Sequence, residues 1–195
     1  AIKFNSSNNG LETGDLGGNL VLISEQTASS SANISFTSGI DSTYKEYQFH
    51  FIDIHPATNN TYFSFNGSID GGSNYNVTKT TTLFSAYHDE ADSATNLGYR
   101  EYEDLAQSTA FQNFQINYGG GNDESGVGFL HLYNPSSTAY TKHFLSVSQN
   151  YHAANYSINP YIAGYFNTTS AIDAIQFKMN SGNIDAGTIK MYGVL

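Results

Sequence analysis

The sequence predicts an all-β fold, an antiparallel β-sandwich of jelly-roll-like type with roughly ten strands and little helix. Apolar and polar residues alternate with a period of two in several short runs, which is the pattern of strands that bury one face. Clusters of Gly, Asn, Asp, Ser and Pro interrupt these runs about every 8–12 residues, a spacing typical of sandwiches and jelly rolls. No repeat of about 20–50 residues is visible, which argues against propellers and solenoids.

The strand candidates begin with the apolar run at residues 20–23, and the clearest of them spans residues 44–54. In that segment Phe49, Phe51 and Asp53 are predicted to face one side, while Ile52 and Ile54 face the other. The dipeptide His55-Pro56 is predicted to end the strand, because proline cannot donate a hydrogen bond to a neighbouring strand. The remaining candidates are residues 34–36, 61–65, 80–87, 111–118, 127–133, 142–150, 161–166, 175–179 and 188–192, with a short helix around residues 101–107.

The core of the predicted sandwich is aromatic. The chain has 13 Phe and 15 Tyr but no Trp, and a hydrophobic fraction of 39%. Phenylalanines at period-two positions are expected to point inward from both sheets. The predicted core residues are Phe49, Phe51, Phe63, Phe65, Phe129, Phe144 and Phe177.

The N-terminal segment is predicted to be a separate element. Residues 1–18 carry little apolar content and four Gly, so they are interpreted as an extended arm preceding a β-sandwich domain at residues 19–195. An arm of this kind cannot build a core of its own, and we expect it to order on a partner. Four apolar side chains are candidates for filling pockets on that partner: Ile2, Phe4, Leu11 and Leu16.

Composition and charge exclude several classes of function. The chain has no Cys, so disulfides and thiolate metal sites are ruled out. Its formal net charge is -10, with only seven Lys and Arg, scattered singly. Phosphate binding depends on clustered cations, and we therefore expect neither a nucleic-acid partner nor an anionic membrane surface.

No motif indicates an enzyme, and we expect no catalytic residues and no cofactor. The six His form no HExxH or HxH pair, and no Ser lies in a G-x-S-x-G turn. Two acidic clusters stand out, one at residues 89–92 and the other at residues 101–104. Glycoside hydrolysis needs two carboxyl groups facing each other across a cleft, whereas neighbouring acids on one loop are typical of a solvated surface.

Two kinds of ligand site remain open from the residues alone. Calcium needs several convergent oxygen ligands, and the candidates for such a site are Asp89, Asp92, Asp123 and Glu124. Exposed tyrosines can stack on sugar rings, although the same side chains also suit a core or an oligomer interface. The tyrosines in suitable segments are Tyr140, Tyr151, Tyr156 and Tyr161.

Residues 171–193, AIDAIQFKMNSGNIDAGTIKMYG, carry an alternating strand, then Ser-Gly-Asn-Ile, then the strand Gly-Thr-Ile-Lys-x-Tyr-Gly. This C-terminal segment resembles the end of a family of small virion proteins encoded by tailed phages of marine and freshwater hosts, including cyanophages. The resemblance covers residues 20–195. Earlier segments that share it are FTSGI at 36–40, YKEY at 44–47, IHPAT at 54–58, DGGSNY at 70–75 and LYNPSS at 132–137.

The resemblance implies a structural protein of the virion exterior and brings no catalytic residues with it. Because the chain is short and lacks a fibre shaft, we favour capsid decoration, with the major capsid protein as partner. Attachment to tail proteins as a receptor-binding module, with a host-surface glycan as ligand, is the first alternative. A secreted carbohydrate-binding domain is the second. Symmetric particles favour closed oligomers, so we expect a homo-oligomer, with a trimer favoured.

Overall fold

The computed structural model describes the backbone of residues 2–4, 11–13 and 19–195, and the side chains of residues 19–195 except Gln115. Within these residues there are 14 strands and no helix, which confirms the all-β prediction. All strand pairs are antiparallel. The strands are β1 Ile2–Phe4, β2 Leu11–Thr13, β3 Leu20–Thr27, β4 Ile34–Phe36, β5 Glu46–Pro56, β6 Thr61–Ser68, β7 Lys79–Asp89, β8 Thr95–Tyr99, β9 Gln112–Tyr118, β10 Gly126–Tyr133, β11 Lys142–His152, β12 Tyr156–Phe166, β13 Ala174–Met179 and β14 Ile184–Val194.

Strands β3 to β14 form two layers that are joined at one corner. The large layer runs β3-β14-β5-β10-β11-β12-β7-β8, and the small layer runs β9-β6-β13-β4. Strand β11 connects them through a single residue pair, His152 with Tyr118 of β9. The inner faces of the two layers pack against each other, so the chain is a β-sandwich whose sheet is continuous across that corner.

The core is a cluster of phenylalanine rings centred on Phe177 of β13. This ring contacts five others, with centroid separations between 5.3 and 6.1 Å. Its partners come from both layers: Phe36, Phe49, Phe51, Phe63 and Phe114. Six of the seven predicted core aromatics, Phe177 included, are completely or almost completely buried. Edge-to-face pairs of this kind add to the stabilisation from buried area.

The prediction that Phe129 belongs to the core is wrong. Phe129 lies on β10, where its neighbours Leu130 and Leu132 are fully buried and it is 37% exposed. Apolar residues occupy both sides of β10, so alternation alone does not say which side faces inward. The register with β11 pairs Leu132 with the buried Phe144, and this places Phe129 on the opposite face of the large layer.

A β-bulge near the end of β5 also reverses a predicted orientation. The register with β10 changes between Gly126 and Gly128, because three residues of β5 span two of β10. Asp53 takes the left-handed backbone conformation there, with φ of 50°. As a result Ile54 turns inward and is fully buried, while Asp53 is exposed, the reverse of a strict period of two.

The bulge gives a stability prediction. Replacing Asp53 by valine is expected to lower the free energy of unfolding by about 1–2 kcal/mol, since β-branched residues are strained at positive φ. Replacing Asp53 by glycine, which accepts this conformation freely, should change it by less than about 0.5 kcal/mol. Urea denaturation of the two variants checks the difference, and equal destabilisation by both would show that the carboxylate, not the backbone, matters.

The helix predicted around residues 101–107 is absent, and this prediction is wrong. The segment makes turns, with the amides of Glu103 and Asp104 donating to the carbonyl of Arg100. The next amide, that of Leu105, donates instead to Oγ1 of Thr81 on β7 at 2.8 Å. The side chain of Gln112 then donates to the carbonyl of Glu103. These contacts with strands replace the hydrogen bonds that a helix would need.

The N-terminal segment contains the paired strands β1 and β2, which align Ile2 with Thr13 and Phe4 with Leu11. Leu16 lies outside the described residues, as do the side chains of Ile2, Phe4 and Leu11. Their role in binding a partner stays a prediction.

Candidate functional site

The outward side of the large layer carries a continuous set of apolar and aromatic side chains, called here the outer face. The strand registers align its central row across β5, β10, β11, β12, β7 and β8. That row is His50, Phe129, Val147, Tyr161, Phe84 and Tyr99. The rows on either side are His131, Leu145, Ala163 and Thr82, and Ile52, Val127, Gln149, Asn159, Ala86 and Leu97.

Most large apolar side chains of the outer face are exposed to solvent. Leu145 is 48% exposed, Phe84 44% and Val127 42%. The strands there alternate regularly between buried and exposed residues, which is clearest along β11. The exposed side of the large layer therefore carries several large apolar residues, which is unusual for a sheet facing water.

The two layers differ sharply on their outward sides. Ser64 and Asn66 point outward from β6, and both are fully buried under loops. Ser64 donates to the carbonyl of Lys178, and Asn66 donates to the carbonyls of Tyr75 and Thr109. These polar side chains of the small layer are thus covered, while most large apolar side chains of the outer face are exposed to solvent.

Ring contacts organise the outer face. Phe84 and Tyr161 stack with centroids 5.0 Å apart and an angle of 2° between their planes. Phe129 packs on the ring of His131 with centroids 4.9 Å apart. The Phe84–Tyr161 pair crosses from β7 to β12 and stabilises the pairing of these strands, and both ring contacts hold the side chains in fixed orientations.

A short polar chain borders these rings. His131 Nδ1 lies 2.6 Å from Oε1 of Glu46, and Gln48 bridges that same carboxylate oxygen to Nε2 of His50. Burial and the nearby His131 lower the pKa of His50 below its ordinary value. His50 is therefore mainly uncharged at neutral pH.

Two shallow grooves flank the central row. The first has a volume of about 410 Å³ and is lined by side chains that include His50, Ile52 and Phe129. The second has a volume of about 310 Å³ and is lined by side chains that include Leu145, Ala163 and Tyr165. Neither groove is lined by a carboxylate, and both are lined mainly by apolar atoms.

The four calcium candidates lie on two different loops. The carboxylate of Asp89 accepts hydrogen bonds from the amides of Ser93 and Ala94 and from the Ser93 hydroxyl. These bonds lower the pKa of Asp89 and also occupy its oxygens. Asp92 contacts His88 at 3.1 Å. In the structure, Asp89 and Asp92 do not form one set of calcium ligands with Asp123 and Glu124.

In the second loop, the carboxylate of Glu124 is also hydrogen-bonded within its own loop. Glu124 accepts a hydrogen bond from the amide of Gly121. Across residues 19–195 there is no group of three or more His, Asp and Glu side chains arranged to hold a metal ion. The two loops meet only near Tyr151, where a hydrogen bond to Glu90 and the charges of Glu124 and Asp123 raise the pKa of the phenol to about 12.

The four candidate tyrosines do not form one platform. Tyr161 belongs to the outer face, whereas Tyr156 stacks on Tyr87 with centroids 5.0 Å apart. Tyr140 is exposed in the loop before β11, and Tyr151 borders the acidic loops.

A buried cation at the start of β7 was not anticipated from the sequence. The side chain of Lys79 is fully buried, and its amine donates to the carbonyl of Ala110 at 2.5 Å. It also lies 5.8 Å from the ring centre of Phe166. Burial lowers the pKa of Lys79 to about 7. No carboxylate forms an ion pair with it among residues 19–195.

Comparison of the chain with models of known families and with curated proteins gives no match. Across the described residues, no helix has the length and apolar character needed to cross a membrane.

Proposed function

We propose that this chain is a non-enzymatic structural protein of the exterior of a tailed-phage virion, and that it decorates the capsid. The observation that carries the proposal is the outer face, an apolar surface of a size that suits protein contact on a chain with a net charge of -10. Its main partners are the major capsid protein and further copies of itself.

The resemblance of the C-terminal segment supports the same role. Residues 171–193, which carry it, include β13 and β14, and these strands lie in different layers of the sandwich. Phe177 and Ile189 of this segment are fully buried. The similar residues therefore belong to the framework of the fold, which is what a shared architecture requires.

Dense packing and surface charge fit a particle exterior as well. A core of interlocking phenylalanines stabilises the domain without disulfides, and acidic loops keep the remaining surface soluble in salt water. Attachment to the capsid uses the N-terminal arm in this proposal, with Ile2, Phe4, Leu11 and Leu16 as the contacting residues.

A receptor-binding role on the tail or a fibre is the second candidate. The exposed rings of Phe84 and Tyr161 favour it, because an exposed aromatic ring can stack on a sugar. In that case a host-surface glycan is the ligand.

Immunogold electron microscopy on particles of the phage that encodes the chain tests the proposal. Antibody raised against residues 19–195 is expected to label the capsid surface at many sites on each particle. Antibody preabsorbed with the purified domain serves as the control. Labelling confined to the tail would support the receptor-binding candidate, and particles without label would contradict both.

A further inference from the structure

We propose that the outer face is the surface on which a second copy of this chain packs, outer face against outer face, to form a two-fold dimer. The proposal concerns how the chain assembles with itself, goes beyond its proposed place on a virion, and puts a two-fold dimer in place of the trimer favoured from the sequence.

The size of the outer face suits a small interface between two copies. Its central row crosses six strands, and its three rows hold 16 residues in all. Each residue covers about 4.8 Å across the strands and about 6.6 Å along them. The projected area is therefore about 500 Å² before the relief of the side chains is added, which is below the roughly 800 Å² of accessible surface per partner in a typical stable complex.

The distribution of charge favours a second copy as the occupant. Two chains with a net charge of -10 repel each other unless their carboxylates stay away from the contact. None of the residues that define the outer face is acidic, and Glu46 at its border is hydrogen-bonded to His131. The acidic residues Asp89 and Glu90 lie at the edge of this face, where they share a pocket with Gln149, while Asp123 and Glu124 line a separate pocket. Face-to-face contact thus joins the uncharged parts of two like-charged chains.

The relief of the outer face is suited to self-pairing. The stacked rings of Phe84 and Tyr161 project from it, and the grooves beside Phe129 and Leu145 are lined mainly by apolar atoms. In a two-fold interface each copy presents the same surface, so a projection on one copy needs a recess on the same face of the other. Sheets that pack face to face do so with their strands at about 30°, which fits the twist of both copies.

Sedimentation equilibrium of the purified chain, from about 1 to 100 μM, tests this dimer. Leu145 lies in the face and is 48% exposed, so Leu145→Glu leaves the monomer folded. In the dimer the new carboxylate is buried without a partner, and we expect association to weaken about 100-fold or more. Ile69→Glu is the matched control, because Ile69 is 46% exposed and lies outside the outer face. It should leave association unchanged.

A second substitution separates burial from long-range charge. Leu145→Lys reduces the net negative charge but also places an ion in the contact, so it too should weaken association about 100-fold. Stronger association of Leu145→Lys would show that net charge governs pairing and would overturn the proposed contact. If Leu145→Glu loses its β-sheet circular dichroism signal, Phe84→Ser takes its place.

Several results would overturn the inference. A wild-type chain that stays monomeric at every concentration contradicts it, as does a trimer in place of a dimer or a Leu145→Glu variant that still associates. Loss of glycan binding in Leu145→Glu, with a monomeric wild type, would make the outer face a receptor site instead. Capsid labelling could still occur in each case, so this inference and the proposed function fail separately.

Discussion

Replacing Phe177 by alanine is expected to lower the free energy of unfolding by about 3–5 kcal/mol, which is a large part of the stability of most single domains. Phe177 is fully buried and touches five other rings from both layers. The substitution removes the buried ring and leaves a cavity that the rigid neighbours cannot close. Urea denaturation, followed by far-ultraviolet circular dichroism, measures the change.

Phe129→Ala is the matched control because it makes the same substitution on a ring that is 37% exposed. Its effect should be below about 1 kcal/mol when the chain is dilute enough to be monomeric. At concentrations where the outer face pairs, Phe129→Ala should also weaken the dimer. Equal destabilisation of the monomer by both substitutions would contradict the assignment of Phe177 to the core and Phe129 to the surface.

The framework of the fold could be predicted because most strands show a clear period of two. Where one side of a strand is apolar and the other polar, the inward residues follow directly, as for Phe49 and Phe63. Residues 144–147 and 129–132 carry apolar side chains on both sides. Phe144 is buried as predicted, whereas the same reasoning failed for Phe129. Those runs were nevertheless the available signal for the outer face, since a strand that is apolar on both sides has two faces to cover.

Other features depend on contacts that alternation does not encode. The bulge at Asp53 uses a residue type that tolerates positive φ, but nothing in the surrounding residues places it there. The turns at residues 101–107 form because Thr81 and Gln112 bind their backbone groups, and both residues lie outside the segment. The separation of the four acidic calcium candidates between two loops was equally hidden, since it depends on how strands β7, β11 and β10 align.

The burial of Lys79 is the clearest example of a feature that the sequence pattern does not predict. It opens a strand rich in threonine, where a lysine is ordinarily solvated. Its burial follows from pairing with Phe166 of β12 and from the loop that brings Ala110 over its amine. Only the assembled fold shows that this cation is enclosed.

Replacing Lys79 by methionine is therefore expected to raise the free energy of unfolding at pH 6 by about 1–4 kcal/mol. Methionine has similar length and flexibility, so it fills the same space without a charge to desolvate. The loss of one hydrogen bond to the carbonyl of Ala110 offsets part of the gain. That carbonyl keeps a contact with Nδ2 of Asn66 at 3.5 Å.

The stabilisation by methionine should depend on pH in a defined direction. Burial lowers the pKa of Lys79 from 10.5 in the unfolded chain to about 7 in the folded one. Between these values the unfolded state binds the additional proton, so the wild type gains stability from this group as the pH rises. The free energy of unfolding of the wild type rises by about 1.4 kcal/mol per pH unit above pH 7. Below pH 7 the full cost of burying the charged amine remains.

The difference in the free energy of unfolding between wild type and Lys79→Met should consequently be constant at about pH 5–7. It should shrink by roughly 2–3 kcal/mol by pH 9. Urea denaturation of both proteins across this range measures it, and other titrating groups cancel in the comparison. Lys45→Met is the matched control, because Lys45 is exposed and the same substitution there should produce no dependence on pH.

A Lys79→Met variant that is less stable than wild type at every pH would show that the buried amine stabilises the fold through Ala110 and Phe166. A difference that stays flat to pH 9 would show that the amine keeps its proton in the folded state, with water or a rearranged loop solvating it.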